Sequence, residues 1–275
     1  MNLFVRLSGD LPSVQKSFFR NVIAAIVAFF ILVRKKENMS VPKGSLWLLI
    51  VRAAAGTVGI LCNFYAIDHM NISDATMLNK LSPFFAIVFS FIFLKEKASV
   101  VQWCSIAAAF AGSLFIIKPE FSSAVVPALI GTLGGLGAGI AYTAVRALGS
   151  KGVKGPLIVF FFSVFSCVVT LPSLIFDYAP MTGKQLLMLI GAGLAATGGQ
   201  FAITTAYTFA PAKEISVFDY SQVIFSALLG FIFLQQIPDV YSVIGYFIIC
   251  LVAVIMWLYE QEANGGIENV GKQRR

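Results

Sequence analysis

One apolar segment occurs twice in this sequence, and the repeat limits what the chain can fold into. Residues 79–97, NKLSPFFAIVFSFIFLKEK, return 140 positions later as residues 219–237, DYSQVIFSALLGFIFLQQI. The tetrapeptide at 91–94 recurs unchanged at 231–234. Each copy has an apolar body of roughly 20 residues, which is long enough to cross a hydrocarbon core of about 30 Å. A long apolar element duplicated at a fixed offset is typical of membrane transporters built from two related halves.

The composition excludes an ordinary soluble protein. Of the 275 residues, 58% are hydrophobic and only 12% are charged, whereas globular domains carry about 25% charged residues. The apolar residues form long blocks that do not alternate with polar ones, which disfavours a transmembrane β-barrel. Membrane-spanning α-helices are the remaining possibility, because a helix satisfies its backbone hydrogen bonds internally. The sequence therefore predicts an all-α polytopic membrane protein, with the lipid bilayer as its first partner.

Nine apolar blocks are long enough to be complete membrane-spanning helices. They are Val14–Val33, Ser45–Ile67, Thr76–Leu94, Val100–Ile117, Val126–Leu148, Pro156–Phe176, Leu186–Phe209, Ser216–Leu234 and Tyr241–Leu258. Residues 1–10 resemble the last turns of a further helix, so two complete five-helix halves would make ten helices, with the first largely missing from this sequence. The polar residues 261–275 predict a disordered basic tail.

The loop charges predict the orientation of these helices. Most cations fall in loops on one side of the membrane. They are Arg34, Lys35, Lys36, Lys43, Lys95, Lys97, Lys151, Lys154 and Lys213, joined by the basic tail. The opposite loops carry only Lys118 and Lys184, beside Glu120 and Asp177. The first side and the C-terminus should therefore face the cytoplasm, and the net charge of +7 indicates orientation instead of a nucleic-acid partner.

The same charges indicate that the two halves are inverted. The first copy of the repeated segment ends in Lys95-Glu96-Lys97 on the cytoplasmic side, whereas the second ends in Gln235-Gln236-Ile237 on the far side. Five crossings, an odd number, separate the equivalent helices. We assign the halves to residues 1–120 and 121–260. Inverted repeats of this kind place the substrate site at the repeat interface, near the bilayer midplane.

A set of small, aromatic and proline residues in both halves resembles a known family. The set comprises Leu11-Pro12-Ser13, Phe19-Arg20-Asn21, Arg52, Gly56, Gly59, Asn63-Phe64-Tyr65-Ala66, Ala75, Leu81-Ser82-Pro83, Leu94, Glu96, Ala206-Tyr207, Ala210 and Gln222. The pattern is similar to that of EamA-type bacterial permeases of the drug/metabolite transporter superfamily. The resemblance implies ten helices around a central cavity and alternating access in a bacterial inner membrane. It implies a small-molecule substrate such as an amino acid or another metabolite, and leaves monomer and homodimer both open.

Polar groups inside the predicted spans are the candidate site residues, because an ionised side chain at the bilayer centre costs about 2.5–3.5 kcal/mol on insertion scales. We expect Arg52 and Lys80 to anchor a substrate carboxylate or phosphate, and Asp219 to be a proton-coupling site or simply a partner for a cation. Arg20 lies about a third of the way into its span, and its side chain can snorkel to the membrane surface. Neutral candidates that either contact substrate or tie helices together are Asn63, Tyr65, Asn79, Tyr142, Gln200, Thr204, Tyr220 and Gln222.

Small residues recur four apart on two predicted spans, which favours close helix packing. The glycines in these rows are Gly131, Gly135, Gly139, Gly191 and Gly199. Pro83 breaks one backbone hydrogen bond in its span, and its repeat mate Val223 does not. The two copies of the repeated segment are therefore expected to differ in shape.

Other functional classes lack their required residues. The P-loop pattern is missing, so direct use of ATP is not expected. An intramembrane aspartyl protease needs two acids, and Asp219 is the one clear candidate. With His69 the single histidine, and four cysteines without metal-ligand spacing, we expect no enzyme, no metal and no cofactor. A secondary carrier is the leading interpretation, with a non-transporting scaffold or an inactive shortened carrier as the alternative.

Overall fold

The computed structural model describes residues 1–35, 41–42, 44–117, 125–210 and 212–273. Within these ranges the chain is helical and has no β-strand. The helices are α1 (Asn2–Leu7), α2 (Ser13–Arg34), α3 (Leu46–His69), α4 (Ile72–Asn79), α5 (Ser82–Phe89) with a π-helical continuation (Ser90–Leu94), α6 (Val100–Ile117), α7 (Val125–Ser150), α8 (Gly155–Phe176), α9 (Gly183–Phe209), α10 (Ala212–Asp219), α11 (Ser221–Leu234) and α12 (Val240–Gln273).

Eight of the described helical segments are long and apolar enough to cross a membrane. They are α2, α3, the composite Ile72–Leu94, α6, α7, α8, α9 and the Val240–Glu262 part of α12. The predicted all-α polytopic membrane protein is therefore confirmed. Some of the residues used to predict orientation lie outside the described part of the chain, namely Lys36, Lys43, Lys118, Glu120, Arg274 and Arg275.

The repeated segment is a broken helix in both copies. The predicted span Thr76–Leu94 divides into α4 and α5, with Lys80 and Leu81 between them. The predicted span Ser216–Leu234 divides into α10 and α11 at Tyr220. Since Lys80 and Tyr220 are 140 residues apart, both breaks fall at the same place in the repeat.

The two breaks have different local causes. Pro83 lies in the first turn of α5 and has no N–H to donate to the carbonyl four residues back. In the second copy, the Val223 N–H donates instead to the Tyr220 carbonyl oxygen, three residues back, at 3.0 Å. Both copies are therefore broken, and they differ in shape after the break, where the first is π-helical over Ser90–Leu94 and the second stays α-helical to Leu234.

The ends of the repeated segment also match in backbone geometry. Lys95 and Gln235, again 140 positions apart in the sequence, both adopt the left-handed conformation, with φ of 56° and 54°. The following N–H groups close equivalent turns, from Glu96 to the Ser90 oxygen at 3.3 Å and from Gln236 to the Gly230 oxygen at 3.1 Å. The repeat seen in the sequence therefore extends to the backbone.

Glycines on α7 allow it to pack backbone to backbone against the first break. A Cβ added to Gly135 would lie 2.8 Å from the Leu78 carbonyl oxygen, and one on Gly139 would lie 3.0 Å from the Ser82 carbonyl oxygen. A Cβ added to Gly131 would instead meet a side chain of α3, at 3.2 Å from the Ala66 Cβ. α7 thus contacts both sides of the break, and α4 and α5 are held in place by it.

The remaining two predicted packing glycines lie on α9 and differ from each other. A Cβ on Gly191 would lie 3.2 Å from the Phe4 ring of α1, so this glycine lies at a helix contact. Around Gly199 no atom of the described chain lies within 4 Å of an added Cβ, and Gly199 instead borders the central cavity. The packing role expected for Gly199 is therefore not found.

The C-terminal region differs from the prediction of a disordered tail. α12 continues to Gln273, so the backbone of residues 261–273 is helical. Extending an existing helix forms one hydrogen bond per added residue, whereas nucleation is the costly step. The apolar part of α12 therefore supports helix beyond the predicted membrane boundary.

Gly135→Ala tests the contact of α7 with the broken helix. We expect it to lower the free energy of unfolding by about 1–3 kcal/mol, because backbone atoms of α4 must move to admit the methyl group. Thermal unfolding of the purified protein in detergent measures the change. Gly198→Ala is the matched control, since no described atom lies within 4 Å of its added Cβ. Equal stability of the two variants would contradict the close packing.

Candidate functional site

A central cavity of about 620 Å³ lies between the two halves of the chain. Its wall includes side chains from α2 and α3 in the first half and from α7, α9 and α10 in the second. Small-molecule sites in proteins commonly have volumes of about 300–1,000 Å³. The polar side chains of the wall are Asn2, Arg20, Arg52, Asn63, Asn79, Lys80, Tyr142, Gln200, Asp219, Ser221 and Gln222.

Two arginines in the wall face the same aromatic ring. The guanidinium carbon of Arg52 lies 4.0 Å from the Phe162 ring centroid, and that of Arg20 lies 5.7 Å from it. Both arginines are almost fully buried, with 2% and 4% of their surface exposed. Phe162 is contributed by α8, so three helices fix this cluster.

The arginines have few polar partners. Arg20 donates from Nη1 to Asn21 Oδ1 at 2.6 Å and from Nη2 to Gln200 Oε1 at 3.2 Å. The Nε atoms of Arg20 and Arg52 are buried and bond to nothing in the described part of the chain. Neither guanidinium forms an ion pair with a described carboxylate. The cluster therefore presents uncompensated positive charge and directed N–H donors.

The breaks of the two repeated segments meet at the cavity. Lys80 Nζ lies 3.8 Å from Asp219 Oδ1, near the upper limit for an ion pair. The Tyr220 hydroxyl donates to the Lys80 carbonyl oxygen at 3.0 Å, which satisfies a backbone group next to the first break. Asp219 Oδ2 is buried and has no hydrogen-bond partner among the described atoms. The carboxylate is thus only loosely held by Lys80.

Neutral groups complete the polar wall. Tyr142 stacks on Tyr207 with ring centroids 4.4 Å apart, which fixes the orientation of its ring. Gln200 Nε2 donates to Thr204 Oγ1 at 3.1 Å, while its oxygen accepts from Arg20. Asn63 Oδ1 is buried without a partner in the described chain and can accept a hydrogen bond from a bound molecule.

The cavity brings together most of the predicted site residues. Those that border it are Arg52, Asn63, Asn79, Lys80, Tyr142, Gln200, Asp219 and Gln222. Tyr65 does not, because it borders a second recess of about 520 Å³ and stacks on His69 at 4.1 Å. Thr204 and Tyr220 do not border the cavity either, and they form hydrogen bonds to Gln200 and to the Lys80 backbone.

Sequence reasoning missed three residues of the site. Arg20 is directed inward instead of snorkelling, and Phe162 is one apolar residue among many in its span. Gly56 faces the cluster, where an added Cβ would collide with Arg52 Nη1 and lie 3.0 Å from Phe162 Cε2. For Arg20 the sequence did contain a signal, since polar residues cluster around it on α2. Two of them, Ser17 and Asn21, are buried as well.

Comparison with known proteins assigns the family. The sequence profile of the EamA-like transporter family matches residues 3–118 and 127–258. The chain belongs to the EamA-like transporter family. The expected EamA-type membership is therefore confirmed, and each half of this EamA-like chain carries one of the two matches.

Several relatives of the EamA-like chain are transporters by name. The pseudopaline exporter CntI of Pseudomonas aeruginosa is 29% identical over 259 residues, covering 93% of this chain and 90% of the exporter. Human solute carrier family 35 member G1 is 30% identical over 270 residues, covering 92% of this chain and 73% of the carrier. A riboflavin transporter of Rhizobium johnstonii is 26% identical over 204 residues, covering 72% and 66%. These names point to a membrane transporter and away from an enzyme.

A solved structure supports the fold. One crystal structure superposes with a TM-score of 0.70 at 15% identity, covering 94% of both chains. At this identity the match shows the fold alone. Together with the family match, it confirms that the EamA-like chain is an integral membrane protein of the EamA fold.

Proposed function

We propose that this EamA-like chain is a secondary transporter that moves a small organic solute across the membrane by alternating access through the central cavity. The observation that carries the proposal is the meeting of two helix breaks, one from each half, at Lys80 and Asp219. Discontinuous helices that face each other at a repeat interface form the substrate sites of many inverted-repeat transporters. The names of two relatives, a pseudopaline exporter and a riboflavin transporter, agree with a transport function.

Arg52 and Lys80 are proposed to anchor an acidic group of the solute, and Asp219 to couple transport to a proton. The anchoring role of Arg52 is supported by its buried Nε, which has no hydrogen-bond partner among the described atoms. The long contact between Asp219 and Lys80 supports the proton-coupling role of Asp219. A carboxylate that a lysine holds only weakly can take up a proton in place of that ion pair. Asn63, Asn79, Tyr142, Gln200 and Gln222 are proposed to hydrogen-bond the solute.

The proposed setting is a bacterial inner membrane with the C-terminus in the cytoplasm. The excess of lysine and arginine in alternate loops supports this orientation. One chain is proposed to be sufficient, because both of its halves contribute to a single cavity. A homodimer is compatible with the same site.

Counterflow in proteoliposomes tests the proposed function. The purified full chain is first screened by thermal shift against riboflavin, the amino acids and the dicarboxylates from succinate to sebacate, because a specific ligand stabilises the folded state. The best ligand is then used as a radiolabelled solute. Saturable uptake that is accelerated by the same unlabelled solute inside the vesicles is expected. Unsaturable flux would indicate a pore, and binding without exchange would indicate a scaffold; either result contradicts the proposal.

Gly56→Ala is expected to weaken binding of that ligand roughly 10-fold while the protein keeps its stability. The added methyl group displaces the end of the Arg52 side chain and lies 3.0 Å from Phe162 Cε2, so the ring must shift by a few tenths of an ångström while the backbone stays in place. A hydrogen bond to a charged group contributes about 1.5–3 kcal/mol, which is larger than the effect of that shift on the fold. Titration of the ligand measures affinity, and thermal unfolding measures stability. Gly198→Ala, which has open space around it, is the control. Unchanged affinity in Gly56→Ala would show that the position of Arg52 does not matter for binding.

A further inference from the structure

The central cavity carries more positive than negative side-chain charge. Arg20, Arg52 and Lys80 border it, and Asp219 is the acidic residue among its described neighbours. Asp219 already faces Lys80, so the two arginines remain uncompensated. We propose that the transported solute is an organic dianion whose two acidic groups bind Arg20 and Arg52. The proposal rests on the proposed transport function and names the substrate class of the same site.

The charge of the arginine cluster is not neutralised by its protein contacts. The Phe162 ring, the Asn21 amide and the Gln200 amide orient the guanidinium groups, but each is itself neutral. A buried charge without an opposite partner is costly in a low-dielectric interior. Two such cations close together also repel each other. A solute of net charge −2 removes both penalties, whereas a zwitterion or a monoanion leaves part of the charge unbalanced.

The two arginines lie close enough together for one molecule with two acidic groups to reach both. Both guanidinium carbons lie within cation–π range of one ring, which places them within about 10 Å of each other. The Nε of each arginine is buried and has no hydrogen-bond partner among the described atoms. Guanidinium groups bind carboxylates in a bidentate manner, with specific geometry. A dicarboxylate can therefore bridge the pair.

The rest of the wall leaves room for the part of the molecule between the two acids. Ala138, Ala141, Ala195, Ala196 and Gly199 border the cavity and have little or no side chain. The volume of about 620 Å³ exceeds what two carboxylates alone would fill. An apolar spacer between the acids fits these small residues.

A matched series of acids tests the dianion proposal. The purified full chain is titrated with the dicarboxylates from succinate to sebacate, with the mono-methyl ester of each, and with cadaverine. At least one diacid is expected to bind roughly 10-fold or more tightly than its own mono-methyl ester, since hydrogen bonds to charged groups are among the strong ones. This comparison uses the wild-type protein and so does not depend on the folding of any variant.

Variants then assign the preference to the two arginines. Arg20→Gln and Arg52→Gln should each lower diacid affinity roughly 10- to 100-fold, toward that of the ester. The ester itself should lose less. Arg20→Lys and Arg52→Lys keep the charge but not the fork of donors, and they should restore part of the preference. Arg146→Gln is the control, because Arg146 contacts the Thr208 carbonyl at 3.4 Å and does not border the cavity.

The outcomes separate this proposal from the transport proposal. Equal binding of diacids and esters, no binding of any diacid, or binding of cadaverine alone would overturn the dianion proposal. Counterflow of a zwitterion or a cation in proteoliposomes would also overturn it while supporting a carrier. A diacid that binds preferentially through Arg20 and Arg52 but is not exchanged would support the dianion site and overturn transport.

Discussion

Asp68→Asn is expected to lower the free energy of unfolding by about 3–5 kcal/mol, because removal of one partner leaves a buried charge uncompensated. Lys16 on α2 has no exposed surface, and its Nζ lies 2.7 and 2.8 Å from the two carboxylate oxygens of Asp68 on α3. Arg6 of α1 donates to the backbone carbonyl oxygens of Ile67 and Asp68. The ion pair therefore lies where three helices are joined.

A double-mutant cycle distinguishes the ion pair from a general effect of substitution. Lys16→Met combined with Asp68→Asn should recover a large part of the lost stability, since a neutral pair of similar volume has no buried charge. Asp10→Asn is the control, because Asp10 is an exposed carboxylate that borders, together with Asp68, the second recess of about 520 Å³. Thermal or denaturant unfolding in detergent measures five proteins: the wild type, Lys16→Met, Asp68→Asn, the double variant and the Asp10→Asn control. If Asp68→Asn unfolds like Asp10→Asn, the pair does not stabilise the fold.

The class and the order of the helices could be predicted because they depend on properties that are local in the sequence. The length of each apolar block decides whether it can span the bilayer. The position of Lys80 and Asp219 inside predicted spans also identified them as candidate site residues, because ionisable side chains are costly at membrane depth. The structure then places these two residues 3.8 Å apart.

The helix breaks could not be predicted, because a segment has the same apolar composition whether it forms one continuous helix or two shorter ones. Pro83 gave a signal in one copy only, whereas the second copy breaks at Tyr220 through a three-residue turn. The Lys16–Asp68 pair was also missed. Asp68 falls at the end of a predicted span, where an acidic residue is typical of a surface loop, and the two residues are 52 positions apart.

The direction of the Arg20 side chain could not be predicted from the sequence either. A single arginine about a third of the way into a span can extend to the membrane surface or turn inward, and the sequence alone does not decide between them. The structure decides through a residue of the other half, since Gln200 accepts a hydrogen bond from Arg20. Gly199, the neighbour of Gln200, was expected at a helix contact because of its spacing. It borders the cavity instead, because spacing does not reveal what lies opposite a helix face.

Asp219→Asn is expected to reduce uptake driven by a pH gradient at least 10-fold while counterflow of the same ligand persists. An asparagine side chain fills the same space but cannot carry a proton, and a positioned acid–base group typically contributes about 100- to 10,000-fold to a step that requires its proton transfer. Asp219 is placed for this role, because it borders the cavity and its Oδ2 has no described partner. Proteoliposomes with and without an imposed pH gradient measure both rates.

The choice of controls decides between proton coupling and simple charge neutralisation by Asp219. Glu214→Gln removes another carboxylate of α10 that does not border the cavity, and it should leave driven uptake intact. Persisting counterflow in Asp219→Asn shows that the protein is folded and that the cavity still alternates. If driven uptake also persists, Asp219 serves only to neutralise Lys80. In that case Lys80→Met with Asp219→Asn should be more stable than Asp219→Asn alone, because the double variant leaves no buried lysine without its partner.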